Sequence, residues 1–137
     1  MARILVVEDD DTNAELLERV LARMGGHEVR VTEDAGEVLA RCRSDADLVV
    51  MDVSLSNTRL NGRSVDGIRL TRMIREQMGA SAPPVLLLTA HAMRGDRDRL
   101  LRLSGAEGYV SKPVMDHREF LQKVDRLLRD PYRSRIA

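Results

Sequence analysis

The residues that close the apolar runs of this chain carry most of the chemistry it could do. Ile4-Leu5-Val6-Val7 ends on Glu8-Asp9, Leu48-Val49-Val50-Met51 on Asp52, and Val85-Leu86-Leu87-Leu88 on Thr89. Gly108-Tyr109-Val110 is followed closely by Lys112. Carboxylates crowded into one crevice raise each other's pKa unless something neutralises them. A hard divalent cation does so, and Mg²⁺ prefers a few carboxylates, some water and phosphate oxygens. A carboxylate ionised at neutral pH needs no base before it attacks phosphorus. The transfer then depends on positioning and on neutralising the equatorial oxygens. Lys112 is a mobile point charge able to reach one such oxygen, and the Thr89 hydroxyl can donate to another. Asp52 is therefore read as a phosphate-accepting side chain.

Each signal has an ordinary reading beside it. Glu8, Asp9 and Asp10 could be solvated acids at a helix start, favoured by the dipole. Lysine before proline is common at surfaces, and threonine often ends a strand. It is the joint placement at the ends of four runs that favours the functional reading.

Short apolar runs alternate with amphipathic stretches, and this alternation would place those residues together. Leu16, Leu17, Val20, Leu21 and Met24 fall at helical spacing, with Thr12 and Glu15 as a candidate capping box. Glu28-Val29-Arg30-Val31-Thr32 alternates like a strand, and Val38-Leu39 sits in a second helix. Leu48 to Met51 is continuously apolar, as a strand covered on both faces would be. A third helix carries Ile68, Leu70, Met73 and Ile74, a fourth spans about Met93 to Leu103, and a fifth carries Phe120, Leu121, Val124, Leu127 and Leu128. Five strands alternating with five helices imply an α/β fold, a doubly wound parallel sheet with right-handed crossovers. In such sheets, sites form beyond the carboxyl ends of the strands.

The chain has 137 residues, enough for one domain whose core needs no disulfide or structural metal. Lys+Arg and Asp+Glu are both 22, so there is no general attraction to nucleic acid or anionic membrane. Tyr109, Phe120 and Tyr132 are the only aromatics, too few for a base-stacking platform. Cys42 is the single cysteine, which suits a reducing compartment and reads as a small packed side chain. No signal-peptide layout or membrane-length apolar run is visible, so a cytoplasmic location without membrane insertion is expected. His27 and His117 read as surface residues, and Met51 and Met73 as core packing.

The elements Ile4 to Asp10, Val49 to Asp52, Leu87 to Ala90 and Gly108 to Pro113 resemble, in this order, the receiver domain of two-component response regulators. The resemblance covers about residues 3 to 129. It implies a flavodoxin-like strand order 2-1-3-4-5 and a receiver domain over 1–129, and the tail over 130–137 is expected to be frayed, as chain ends commonly are. By the same resemblance, Asp52 would take a phosphoryl group from a sensor histidine kinase or histidine phosphotransfer protein. Glu8, Asp9 and Asp52 would hold Mg²⁺ with the backbone carbonyl of Ser54 and water. Lys112 would contact the acyl phosphate, Thr89 would move toward it, and Tyr109 would change rotamer with it, biasing a two-state equilibrium. The fourth helix, fifth strand and fifth helix would show the signal to a downstream effector protein. The chain reads as a stand-alone phosphoacceptor in a phosphorelay, signalling by protein–protein contact, and not as an enzyme beyond any self-catalysed phosphorylation and dephosphorylation. Ser54 and His91 stand where the family tunes the phosphate lifetime.

The chain departs from the family pattern after Asp52. Ser56 stands where a proline is usual, and a polar insertion from Asn57 to Val65 precedes Asp66-Gly67. The insertion reads as a tolerated surface loop, with a role in partner docking or in shielding the phosphate as the alternative. Three other functions fit the sequence less well. An aspartyl-nucleophile phosphohydrolase would carry a second Asp two residues on, where Ser54 stands. A phosphorylation-independent binding module of the same fold would not need the acidic set, Thr89 and Lys112. A nucleotide binder of this fold is disfavoured because no Gly-rich loop follows the first strand.

Overall fold

A computed structural model describes residues 1–90 and 96–129. The tail expected over 130–137 lies outside them. Seven strands and five α-helices are found among the described residues. In chain order they are β1 (Arg3–Val7), α1 (Asp11–Glu18), β2 (Glu28–Thr32), α2 (Ala35–Ser44), β3 (Leu48–Asp52), β4 (Arg59–Leu60), β5 (Arg63–Ser64), α3 (Gly67–Met78), β6 (Val85–Thr89), α4 (Asp96–Ser104), β7 (Gly108–Ser111) and α5 (His117–Arg129). Helix α1 runs on through a wider π-type stretch, Arg19–Met24. The main sheet is parallel throughout, in the order β2-β1-β3-β6-β7. This is the doubly wound order expected, once β4 and β5 are set apart as a separate antiparallel pair.

Alternation along the strands divides the core in two. Leu5, Val7, Val49, Met51, Val85 and Leu87 face one side, packed with Val38, Cys42, Leu70 and Ile74. Ile4, Val6, Leu48, Val50, Leu86 and Leu88 face the other, packed with Leu17, Val20, Leu21, Phe120 and Val124. Both faces are covered, so β3 and β6 are buried along their whole length. That explains why they read as unbroken apolar runs.

Aspartates start four of the helices. Asp10 accepts the Thr12 amide, Asp34 the Gly36 amide, Asp66 the Arg69 amide and Asp116 the Glu119 amide. Such caps are each worth about 1 kcal/mol. The expected Thr12–Glu15 capping box is therefore replaced by Asp10, which stands at the N-cap with Thr12 already inside the helix.

Two further expectations change. His27 is not at the surface: its side chain is 10% exposed, with Nε2 3.4 Å from Asp125. Its Nδ1 accepts the Ala2 amide at 3.3 Å. The polar insertion is not an irregular loop but the β4–β5 hairpin. Asn61 (φ 54°) and Gly62 (φ 81°) supply the left-handed pair that a two-residue type I′ turn needs. The Val65 amide donates to the Thr58 carbonyl, the buried Thr58 hydroxyl donates to the Glu33 carbonyl, and Val65 is buried in the core.

Cys42 lies inside the α2 face of the core, and burial pushes its thiol up to about 12. The native protein is expected to leave a disulfide reagent such as DTNB unconsumed at pH 8, one equivalent reacting only after denaturation. Fast reaction of the folded chain would contradict this placement.

Candidate functional site

Three strand ends converge at the carboxyl edge of the sheet. β1 delivers Glu8 and Asp9, β3 delivers Asp52, and the segment after β7 delivers Lys112. Because β1, β3 and β6 are parallel neighbours, the residues closing them leave the sheet on the same side. One oxygen from each of Glu8, Asp9 and Asp52 lies within 4.8 Å of the others. Glu8 and Asp52 are buried. The Lys112 ammonium is 2.8 Å from Asp52 Oδ1 and 3.3 Å from Glu8 Oε2. Lys112 is fixed there by its amide, which donates to the Thr89 carbonyl at 2.8 Å.

The electrostatics follow from this packing. Burial and the neighbouring Asp52 carboxylate push Glu8 above the usual range, against hydrogen bonds from Asn13 and Asp10. The Asn13 amide group donates to Glu8 Oε2 at 2.8 Å. Burial alone would lower Lys112, yet Asp52 and Glu8 outweigh it and hold the ammonium above its ordinary value. Asp9 is held below the usual carboxylate range although burial opposes this, because Ser56 and Asn57 donate to it. A cluster of buried or half-buried carboxylate oxygens, mutually repelling and only partly balanced by one lysine, suits a hard divalent cation.

The other expected site residues are placed as follows. Thr89 is buried at the end of β6, opposite Ser111 of β7. The Ser54 amide donates to Asp52 Oδ1 at 3.1 Å, and its side chain is exposed. Tyr109 on β7 is half-buried between α4 and α5. The Arg97 guanidinium stands 4.8 Å from its ring centre and the Lys123 ammonium 5.6 Å. His91 falls in 91–95, outside the described residues.

The model of the response regulator receiver domain matches residues 4–125. The chain belongs to that family. This receiver is 36% identical over 126 residues to the transcriptional regulatory protein GltR of Pseudomonas aeruginosa, covering 92% of this chain and 48% of GltR. It thus spans about half of that relative. It is 32% identical over 128 residues to the polar-differentiation response regulator DivK of Brucella ovis, covering 93% of this chain and 96% of DivK. In fold, the receiver is similar to chemotaxis protein CheY4 of Vibrio cholerae, with a TM-score of 0.74 over 92% of this chain and 98% of that one at 24% identity. Among the described residues, no helix is long and apolar enough to cross a membrane.

Sequence reasoning did not find two groups near this edge. Ser56 donates its amide (2.7 Å) and its hydroxyl (2.9 Å) to Asp9 Oδ2, and the Asn57 amide adds a third bond at 3.2 Å. Gly67, at the start of α3, packs directly on the Asp52 backbone: its amide donates to the Val53 carbonyl at 3.1 Å. The Asn61-Gly62 pair was the available signal that the segment after Ser56 is ordered.

Proposed function

We propose that Asp52 accepts a phosphoryl group from a histidine kinase or histidine phosphotransfer protein, and that this receiver passes the signal on by protein–protein contact. The observation that carries the reading is the Lys112 ammonium at 2.8 Å from the buried Asp52 carboxylate, inside a set of three mutually close carboxylates. Glu8, Asp9 and Asp52, with the Ser54 carbonyl, would hold Mg²⁺. When bound, the cation supplies charge neutralisation of the phosphoryl oxygens.

The chain's own residues do the rest. An Asp52 carboxylate oxygen forms the new P–O bond as the P–N bond to the donor imidazole breaks, and the bonding pair leaves with the imidazole nitrogen. Lys112 neutralises one equatorial oxygen, and the Thr89 hydroxyl donates to another. Tyr109, in its half-buried position between α4 and α5, would follow Thr89 and alter the face that an effector reads.

The test is incubation with phosphoramidate or acetyl phosphate and Mg²⁺, then borohydride reduction and peptide mass analysis. The trapped product should map to Asp52, and Asp52→Asn should remove it entirely. Labelling that survives in Asp52→Asn, or none in the native chain, defeats the reading.

A further inference from the structure

We propose that Ser56, assisted by Asn57, is a positioning residue for the metal-binding carboxylate of Asp9, which makes the β4–β5 insertion part of the metal site. The proposal rests on reading Glu8, Asp9 and Asp52 as a Mg²⁺ site. Its argument is the distribution of donors around Asp9. The Ser56 amide, the Ser56 hydroxyl and the Asn57 amide all bond to Oδ2. None of the three reaches Oδ1. A carboxylate has about four acceptor positions, and loading one oxygen orients the other. The Asp9 group is thereby fixed with Oδ1 free of these donors.

The three carboxylates are balanced in different ways. Glu8 and Asp52 share Lys112. Among the described residues, Asp9 has no Lys or Arg partner, and neutral donors from a segment 47 and 48 positions away do that work.

The donors are held by the insertion itself. Ser56 and Asn57 lie between two buried anchors, Leu55 and Thr58. Thr58 is tied to the Glu33 carbonyl at 2.8 Å, and the hairpin closes where the Val65 amide meets the Thr58 carbonyl at 3.0 Å. Little freedom remains to be lost when a cation arrives. A proline at position 56 would have neither the amide hydrogen nor the hydroxyl and would remove two of the three donors. Outer-shell partners of metal ligands are typically worth ~10–100-fold in metal affinity.

The experiment is calorimetric titration of the full chain with Mg²⁺ alone, for the native sequence, Ser56→Thr, Ser56→Ala and Ser56→Pro, with unfolding midpoints measured in parallel. Ser56→Thr keeps both donors and should bind within about twofold of the native chain. Ser56→Ala should weaken binding by a few fold, and Ser56→Pro by roughly tenfold or more. In an NMR titration of the native chain, the Ser56 and Asn57 amides should shift with Mg²⁺ along the same saturation curve. A loop-only role would lower the metal-free unfolding midpoint of Ser56→Pro while leaving its Mg²⁺ dissociation constant native, and that result overturns the proposal. So does native affinity in both Ser56→Ala and Ser56→Pro. Absence of Mg²⁺ binding by the native chain would instead overturn the metal-site reading, and this inference with it.

Discussion

Gly67→Ala is expected to lower the stability of this receiver by about 3 kcal/mol or more, toward the upper end of overpacking costs, and the unfolding midpoint by about 10 °C. The reason is space, not backbone torsion. A Cβ built on Gly67 would lie 1.9 Å from the Asp52 carbonyl oxygen, 2.8 Å from its carbon and 3.0 Å from Val53 Cα. All three are backbone atoms, so no rotamer change can relieve the contact. Helix α3 would have to back away from the end of β3. That movement strains the hydrogen bond from the Gly67 amide to the Val53 carbonyl, and it shifts the Asp52 backbone that carries the proposed acceptor carboxylate. Aspartyl phosphate formation should therefore fall along with stability. Gly62→Ala is the matched control. Gly62 needs its φ of +81°, but a Cβ there meets nothing within 4 Å. It should cost only about 1 kcal/mol, through the hairpin turn. Thermal unfolding by circular dichroism compares the two, and a Gly67→Ala chain that melts no lower than Gly62→Ala refutes the packing argument.

What the sequence makes legible here is what local pattern encodes. Buried strands show as apolar runs because both sheet faces are covered, and the carboxyl ends of those runs locate the site because parallel strands all point one way. Those run ends point to Asp52, Glu8, Asp9, Thr89 and Lys112, of which Glu8, Asp9, Asp52 and Lys112 lie together in the structure. The groups that escaped notice act across long sequence separations through single hydrogen bonds. Asp9 and Ser56 are 47 positions apart, and no periodicity links them. The same holds for Arg75 on α3 and the buried carboxylate of Glu107, 32 positions on. Glu107 also accepts the Val85 amide at 2.8 Å, while Arg75 donates to the Gly105 carbonyl, so the pair ties α3 to the start of β6 and the approach to β7. No spacing in the sequence relates the two residues. The hairpin is a different case: Asn61-Gly62 is a local signal with a known turn geometry, but its flanking strands are only two residues each, too short to show alternation.

Lys112→Met should cost the metal-free receiver about 3 kcal/mol at pH 7.5, the price of leaving buried carboxylates without their cation. Lys112 is 20% exposed and contacts both Asp52 and Glu8, whose side chains are 3% and 1% exposed. Methionine keeps most of the stem's volume, so lost packing contributes little. The loss should depend on pH in a defined direction. Glu8 already titrates above the ordinary Glu value because burial and Asp52 favour its neutral form. Removing the ammonium raises it further. An acid whose folded pKa is raised binds its proton more tightly when folded, so stability is full below the unfolded value and is lost as pH rises through the folded one. The variant should therefore lie closer to the native chain at pH 5 than at pH 7.5. Added Mg²⁺ supplies the missing positive charge, and a ligand at a hundredfold excess over its Kd stabilises by about 2.7 kcal/mol. With lysine gone, the cation meets a more negative site, so at equal Mg²⁺ the variant should gain more than the native chain. Urea unfolding at both pH values, with and without Mg²⁺, reads all of these effects. If the variant is as stable as the native chain at pH 7.5 without metal, or if Mg²⁺ stabilises the two equally, then Lys112 is not the counter-charge of this carboxylate set.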